Sequence, residues 1–255
     1  MTLHLGKLPA THDRRDLQFV NYRTTPKLPS APIGYGHKNL VRNPWGMLGN
    51  DEWGDCAIAG PAHEHMLTSA AAGQQVTFPT SNILHAYSNI TGFDPNAGPS
   101  GNNPTDQGAS VRQVLKYRQK HGLTDSAGRV HKIGAYVALE PGNWTELLEA
   151  LYLFETVGFG FQFPSSAMTQ FNAHKPWTVV KGATIEGGHY VPSIGRPASL
   201  SNECVTWGIT QVFNRAFYAK FCDEAWGILS PEMLTAGKSL EGFNLAQLQA
   251  DLAVI

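Results

Sequence analysis

The stretch GNDEWGDCAIAGPAHEHM, residues 49–66, decides the fold, because it joins a tight turn to the start of the first long helix. Gly54 and Asp55 are residue types with which a chain turns sharply into a helix. From Cys56 onward, apolar residues recur at near-helical spacing. Pro61 lies inside this pattern, and proline is tolerated in the first turns of a helix. The spacing therefore predicts a helix that begins at Cys56.

Cys56 has two interpretations. Unpaired N–H groups and the helix dipole at a helix N-terminus favour a thiolate, so Cys56 can be a nucleophile with a lowered pKa. It can equally be an inert, buried cysteine, and its position alone leaves both open. A nucleophilic cysteine needs a base. Among ten histidines, His189 is the strongest candidate, because it follows two glycines in EGGHYVPSIGR (186–196) at the start of a predicted strand.

Composition places the chain among folded proteins with a sizeable core. It has 255 residues, 42% of them hydrophobic and 15% charged, which allows one large domain or two lobes. The net charge of −1 creates no general attraction to nucleic acid or to an anionic membrane. No apolar run approaches the roughly 20 residues of a membrane helix. We therefore expect no nucleic-acid partner and no membrane insertion.

The N-terminus lacks the charged-then-apolar layout of a secretory signal, and three cysteines are too few for a disulfide framework. Both features favour a cytoplasmic location. Cys204 and Cys222 could pair, but free thiols are the favoured interpretation.

Periodicity predicts helices in the first half of the chain and strands in the second. The lead-in, residues 1–48, is broken by prolines and glycines and is expected to cross the surface. A long loop at 92–109 is of a length that is usually functional or mobile. The predicted helices cover 81–91, 110–122 and 143–158, and the predicted strands cover 158–163, 187–196, 202–210 and the end of 217–229.

Other chemistries have no support in the sequence. It contains no phosphate-binding glycine loop, no dinucleotide fingerprint and no serine elbow. Three widely spaced cysteines cannot form a zinc site, and His63 and His65 point to different faces of their helix. We therefore expect neither a metal nor a cofactor.

The order of these pieces resembles the papain-like cysteine peptidases, in particular bacterial and phage members without a propeptide. GNDEWGDC (49–56) is similar to the family's Q-G-x-x-G-x-C signature, in which Gly54 and Cys56 match directly. EGGHYVPSIGR is similar to G-G-H-A-V-x-x-V-G-Y, which gives His189 the place of the base. VTWG (205–208) stands where the family has N-S-W-G. The resemblance extends from about residue 6 to 235.

The resemblance implies one papain-like domain over residues 1–255, of the α+β class and with two lobes. A helical lobe, about 50–155, would be led by the nucleophile helix. An antiparallel, β-barrel-like lobe, about 156–235, would carry the histidine. Residues 1–49 and 236–255 would be extensions that cross the lobes or pack on them. The 92–109 loop and Trp53 would line the cleft.

The resemblance also implies roles for individual residues. Cys56 would be the nucleophile and His189 the general base and acid. Asn50 stands in the position of the oxyanion-hole glutamine, one methylene shorter but still able to donate an N–H. Trp207 would shield the site from water, and Gly54 is the glycine of the signature.

One departure concerns the group that orients the histidine. The family's asparagine at this point aligns with Val205, which has no polar atom. Thr206, Asn202 or a backbone carbonyl is a candidate to replace it, and a plain Cys–His dyad is a further possibility.

The implied activity is that of a cysteine peptidase, which hydrolyses amide bonds of a peptide or protein substrate through a Cys56 thioester. Val205 supports a first alternative, a catalytically impaired binding module on the same scaffold. A second alternative is a Cys–His amidase or acyltransferase, such as a cell-wall peptide hydrolase.

Overall fold

A computed structural model describes residues 3–22 and 30–230. Its helices are α1 (Cys56–Ala71), α2 (Thr80–Thr91), α3 (Val111–Lys120), α4 (Trp144–Phe154), α5 (Ser165–Asn172) and α6 (Arg215–Phe221). Its strands are β1 (Tyr35–Gly36), β2 (Leu123–Thr124), β3 (Val130–His131), β4 (Ala135–Leu139), β5 (Val157–Pro164), β6 (Ile185–Ala198), β7 (Ser201–Thr206), β8 (Ile209–Asn214) and β9 (Cys222–Leu229). Two short 3-10 helices span Phe19–Tyr22 and Lys38–Leu40.

The main sheet is antiparallel and has the strand order β4-β9-β5-β6-β7-β8, with β1 added on β6. Strands β2 and β3 form a separate pair. The α+β class is confirmed. The described strands form an open sheet, whereas the resemblance implied a barrel-like lobe. The division into lobes at the expected boundaries stays a prediction.

Two large apolar clusters hold the structure together. One lies between the sheet and α4 and α6, and it contains all three phenylalanines of β5. The other joins α1, α2 and α3. Nearly every residue of α1 is buried, because the helix is covered by α2 and α3 on one side and by β6 on the other. This arrangement places the first residue of α1 beside the sheet.

Gly60 lets α1 approach β6 closely. A Cβ at Gly60 would lie 2.7 Å from a ring carbon of Tyr190, which neighbours His189 on β6. A buried polar network then fixes the two elements. Glu64 of α1 accepts hydrogen bonds from Tyr190 Oη at 2.5 Å and from Arg118 Nη1 of α3 at 2.7 Å. This network joins the two elements about two turns after Cys56 on the helix and at the residue next to His189 on the strand.

Most predicted elements are present. The helix at Cys56 continues through Pro61 to Ala71, and Asn143 caps α4 by accepting hydrogen bonds from two backbone N–H groups. Asp55 occupies the cap position of α1, but its side chain makes no capping hydrogen bond. The strand predicted at 202–210 is two strands, separated by a turn in which Trp207 and Gly208 have positive φ angles of 44° and 74°.

Three of the longer elements were not predicted, and neither were the two-residue strands β2 and β3. Helices α5 and α6 lie within the part of the chain expected to be β, and β4 lies within the part expected to be helical. The predicted amphipathic tail, 240–255, lies outside the described residues. None of the helices in residues 3–22 and 30–230 has the length and apolar character needed to cross a bilayer.

Candidate active site

Cys56 is the first residue of α1 and is fully buried. Burial raises the pKa of its thiol to about 12, although backbone hydrogen bonds from Tyr190 and Gly6 act in the opposite direction. The sequence favoured a lowered pKa from the helix N-terminus. In this arrangement burial outweighs that effect, so the thiol is protonated at neutral pH.

His189 lies on β6 with its ring enclosed by aromatic side chains. It stacks on Trp207, with ring centroids 4.4 Å apart and planes at 19°, and the edges of Phe161 and Phe163 complete the enclosure. Burial lowers the pKa of His189 to about 3, so the imidazole is neutral.

The two ring nitrogens of His189 have different surroundings. Nε2 lies 2.8 Å from Oγ1 of Thr206, the last residue of β7. Nδ1 is buried and has no hydrogen-bond partner among the described residues. Of the groups considered as replacements for the family's asparagine, Thr206 is therefore the one in contact. Asn202 instead accepts a hydrogen bond from the backbone N–H of Glu203 at 2.9 Å.

A small cavity brings the predicted site residues together. Its volume is about 10 Å³, room for about one water molecule. Cys56, His189 and Asn50 all line it, although His189 lies more than 130 residues along the chain from the other two. The complete lining is Met47, Asn50, Cys56, Ala59, Gly60, His63, His189, Tyr190, Val205, Thr206 and Trp207.

Residues 4–8, here called the N-terminal strap, run through a cleft beside this cavity. One wall of the cleft is the turn before α1 and the end of the 92–109 loop, and the other is β6 with the β7–β8 turn. The strap makes backbone hydrogen bonds to both walls. On the β6 side, Gly6 N and Lys7 N donate to Gly188 O at 3.2 and 3.0 Å. On the loop side, Ala109 N donates to Gly6 O at 2.7 Å, and Leu8 N donates to Ala109 O at 3.0 Å.

The carbonyl group of His4 is held by two predicted site residues. Asn50 Nδ2 donates to His4 O at 3.2 Å, and Trp207 Nε1 donates to the same oxygen at 3.4 Å. Asn50 Nδ2 also donates to Trp53 O at 2.9 Å, which fixes its amide. A peptide carbonyl of the chain itself thus occupies the acceptor position opposite Asn50.

Glycines allow the strap to lie this deep. A Cβ on Gly6 would overlap the carbonyl group of Gly54, and a Cβ on Gly54 would lie 3.0 Å from Leu5 O. The expectation that the lead-in crosses the surface is therefore wrong for this segment. No local signal could have revealed it, because the partners of the strap lie far away along the chain: 46 residues separate His4 from Asn50.

Two aspartates lie at the turn before Cys56; the sequence predicted Asp55 as a turn residue but did not reveal the contact of Asp106. The backbone N–H of Gly54 donates to both carboxylate oxygens of Asp106 at 3.1 Å, and Tyr87 Oη donates to one of them at 2.6 Å. Asp55 is fully buried, and burial followed by the nearby Asp106 charge raises its pKa well above the usual value.

Trp53 and the 92–109 loop were expected to line the cleft, and they differ in how they meet that expectation. The C-terminal end of the loop borders the cleft, since Ala109 pairs with the strap. Trp53 instead packs on Phe93, with ring centroids 4.9 Å apart, and only its carbonyl oxygen reaches Asn50.

The remaining candidates for redox or metal chemistry are isolated. Cys204 and Cys222 are unpaired. Across the described part of the chain, no three His, Cys, Asp or Glu side chains are grouped so that they could hold a metal ion.

Solved structures provide the comparison that decides the fold. Xylellain, a cysteine protease from Xylella fastidiosa, is similar with a TM-score of 0.62 and 16% identity, over 89% of this chain and 96% of that chain. The chain has the papain-like fold. Digestive procathepsin L 3 of Tenebrio molitor larval midgut is similar with a TM-score of 0.59 and 11% identity, over 87% of this chain and 76% of that one.

A mite allergen structure, from a study of Blo t 1 and Der p 1, gives the same result, with a TM-score of 0.58 and 12% identity over 87% of this chain and 75% of that chain. No family profile matches the chain, and no curated protein matches it in sequence. At such low identity the likeness carries the papain-like fold alone. The resemblance found in the sequence is confirmed at that level.

Proposed function

We propose that this papain-like chain is a cysteine hydrolase that cleaves amide bonds in a peptide or protein through a thioester on Cys56. The observation that supports this most is the shared cavity. Cys56, His189 and Asn50 line it together, and Asn50 already holds a peptide carbonyl, that of His4.

The first step is attack of Cys56 Sγ on the carbonyl carbon of the substrate amide. The thiol proton passes to Nδ1 of His189, the ring nitrogen without a partner. For Nδ1 to accept it, the other nitrogen must carry hydrogen. Nε2–H then donates to Thr206 Oγ1, so Thr206 is the positioning residue that selects this tautomer.

The negative charge that develops on the carbonyl oxygen needs donors. The Asn50 amide, which now donates to His4 O, and the backbone N–H of Cys56 would supply them. One such donor contributes roughly 3 kcal/mol to the stability of a transition state.

Collapse of the tetrahedral intermediate breaks the C–N bond. His189 returns its proton to the leaving amine, and the acyl group stays on Cys56 as a thioester. Water then attacks the thioester with His189 as base, which releases a carboxylate product and regenerates the thiol.

The strap keeps this machinery latent. It occupies the cleft, and the enclosed surroundings leave both the Cys56 thiol and the His189 imidazole neutral. Departure of the strap would admit water to both groups. Because burial causes both pKa shifts, hydration would move the two values toward each other and favour a thiolate–imidazolium pair.

Alkylation tests the proposed nucleophile. In a variant with a displaced strap, iodoacetamide and the peptidyl epoxide E-64 should label Cys56 before Cys204 and Cys222, and Cys56→Ala should abolish hydrolysis of a fluorogenic peptide. Equal labelling of all three thiols, with turnover surviving in Cys56→Ala, would remove the proposal.

A binding module on the same scaffold is the second candidate, and Val205 favours it because the family's orienting asparagine is missing. The titration of Cys56 in the strap-displaced variant separates the two. A binding module should keep a thiol pKa near the ordinary value of about 8.5, whereas an enzyme should show a lower value.

A further inference from the structure

Lys7, in the middle of the strap, has a fully buried side chain. Its exposed fraction is 1%, which is rare for lysine unless the charge is paired. Nζ lies 2.9 Å from Asp223 Oδ2 and 3.1 Å from Glu224 Oε1, and it donates a hydrogen bond to Leu8 O at 3.0 Å. Two carboxylates of the sheet thus surround one ammonium group.

Two glycines, which have no side chain, leave room for Lys7. Gly160 of β5 pairs with Glu224 of β9, and a Cβ at Gly160 would overlap Cδ and Cε of Lys7. A Cβ at Gly188 of β6 would overlap the carbonyl group of Lys7. Any larger residue at Gly160 would fill the space that the lysine methylenes now occupy.

An irregularity in β9 points both carboxylates at the same spot. Consecutive residues of a regular strand face opposite sides of the sheet. Gly160 of β5 pairs with Glu224 of β9, but the next residue of β5, Phe161, pairs with Cys222. The residue between these partners, Asp223, is therefore the extra residue of a bulge. Asp223 and Glu224 can therefore approach one cation.

The carboxylates are held in place and retain capacity to bind. Trp226 Nε1 donates to Glu224 Oε2 at 3.0 Å, which fixes that side chain. Oδ1 of Asp223 is buried and accepts no hydrogen bond from the described residues. Burial raises the pKa of Glu224, and the Lys7 charge opposes this shift. A cation in the pocket therefore favours the ionised carboxylate.

We propose that this acidic pocket, formed by Gly160, Asp223 and Glu224, is a specificity subsite that accepts a lysine or arginine side chain of the substrate. Lys7 occupies it in place of a substrate side chain. This inference rests on the proposed function and names its substrate class, peptides with a basic residue close to the cleaved bond.

Two observations support the position of the subsite in the reaction. Lys7 directly follows Gly6, whose backbone contacts the Cys56 thiol, so the pocket lies about one residue from the nucleophile. Its backbone N–H donates to Gly188 O, next to His189. Arginine should be accepted as well as lysine, because its five donors can also use the free oxygen of Asp223.

Matched peptides test the pocket in protein that carries both Gly6→Ala, which displaces the strap from the cleft, and Lys7→Ala, which leaves the pocket empty. The substrates are fluorogenic peptides that differ only as lysine against norleucine, or arginine against citrulline. The basic member should have a kcat/KM higher by roughly 10- to 100-fold, as expected for a buried charge-assisted hydrogen bond. Because the change is in the substrate, the test does not depend on whether a pocket variant folds.

Protein variants then locate the effect. Glu224→Gln and Asp223→Asn should each lower the lysine-to-norleucine ratio toward 1. Glu203→Gln is the matched control, since Glu203 forms a similar ion pair with Lys38 at 2.7 Å elsewhere in the protein. It should leave the ratio high. A ratio near or below 1 in the protein that carries only Gly6→Ala and Lys7→Ala, with measurable turnover, would overturn the subsite and leave the hydrolase proposal standing.

Calorimetry covers the case in which neither peptide is hydrolysed. Protein that carries Gly6→Ala, Lys7→Ala and Cys56→Ala is titrated with the same peptide pair. Tighter binding of the lysine peptide, lost in Glu224→Gln, would support the pocket even though the hydrolase proposal had failed. Equal binding of both peptides, or binding of neither, would contradict the pocket.

Discussion

The imidazole Nε2 of His189 lies 2.8 Å from the hydroxyl oxygen of Thr206, across the β6–β7 boundary of the sheet. Val205, one position earlier, aligns with the family's orienting asparagine and has no polar atom. The hydroxyl one residue later makes the contact that the valine cannot. The site therefore keeps an oriented imidazole through a different residue.

Replacement of this hydroxyl should lower catalysis. Thr206→Val keeps the shape and removes the hydrogen bond, so the imidazole loses its preferred tautomer. In strap-displaced protein, kcat/KM for a fluorogenic peptide should fall roughly 10- to 100-fold, the range for one lost buried hydrogen bond. Thr206→Ser should restore most of the activity, and Thr210→Val on β8 serves as the control. Equal activities of Thr206→Val and Thr206→Ser would show that the contact has no catalytic role.

Displacement of the strap should expose the thiol. Gly6→Ala places a Cβ where the carbonyl group of Gly54 already lies, so the strap cannot keep its position. The rate of Cys56 alkylation by iodoacetamide at pH 7.5 should rise by roughly tenfold or more as burial of the thiol is relieved. Ser199→Ala, at an exposed position outside the strap, is the control. An unchanged alkylation rate in Gly6→Ala would mean that the strap does not protect Cys56.

Acid should destabilise the fold before most carboxylates titrate. Burial lowers the pKa of His63 to about 4 and that of His65 and His189 to about 3, so the folded state keeps these rings neutral. The unfolded chain binds protons below about pH 6.5. The stabilisation is therefore complete above pH 6.5 and is lost as the pH falls toward 3.

The melting temperature measures this effect. It should drop by roughly 5 °C or more between pH 7 and pH 4.5. His65→Gln should show a shallower dependence than the parent chain, while His12→Gln at an exposed position should not. A melting temperature that stays constant over this interval would contradict the assigned protonation states.

The ion pair behind α1 should matter for stability. Glu64→Gln removes the counter-ion of Arg118, whose side chain is only 2% exposed, and leaves a buried unpaired charge. The free energy of unfolding should fall by about 3–5 kcal/mol in chemical denaturation. Glu52→Gln, at an exposed position, should change it by less than about 0.5 kcal/mol. A loss below about 1 kcal/mol for Glu64→Gln would indicate that Arg118 finds another partner.

Local patterns predicted the elements that carry the site. The helix at Cys56 and the strand at His189 follow from apolar spacing and turn residues within a few positions. Thr206 was one of three alternatives, since the sequence does not say which neighbour on β7 faces the ring. Strand β4, AYVAL, was missed because all five of its residues are apolar or aromatic, so the sequence shows no apolar–polar alternation although every second residue is buried.

Contacts between residues far apart in the chain could not be predicted from local sequence patterns. The ion pair of Lys7 with Asp223 joins residues 216 positions apart, and it depends on a bulge in β9 that no residue type announces. The raised pKa of Cys56 likewise follows from burial, which the residues around the helix N-terminus do not reveal. Burial reversed the sign of the prediction that was made from the helix N-terminus alone.

A rapid-quench experiment tests the central claim most directly. Gly6→Ala protein is mixed with an activated peptide ester, quenched in acid after short intervals, digested and mapped by mass spectrometry. The account predicts a thioester adduct, with the mass of the acyl group, on the peptide that contains Cys56, and no adduct or turnover in Cys56→Ala. Hydrolysis that proceeds in Cys56→Ala at the same rate, or an acyl group found on Cys204 or Cys222 instead, would contradict it.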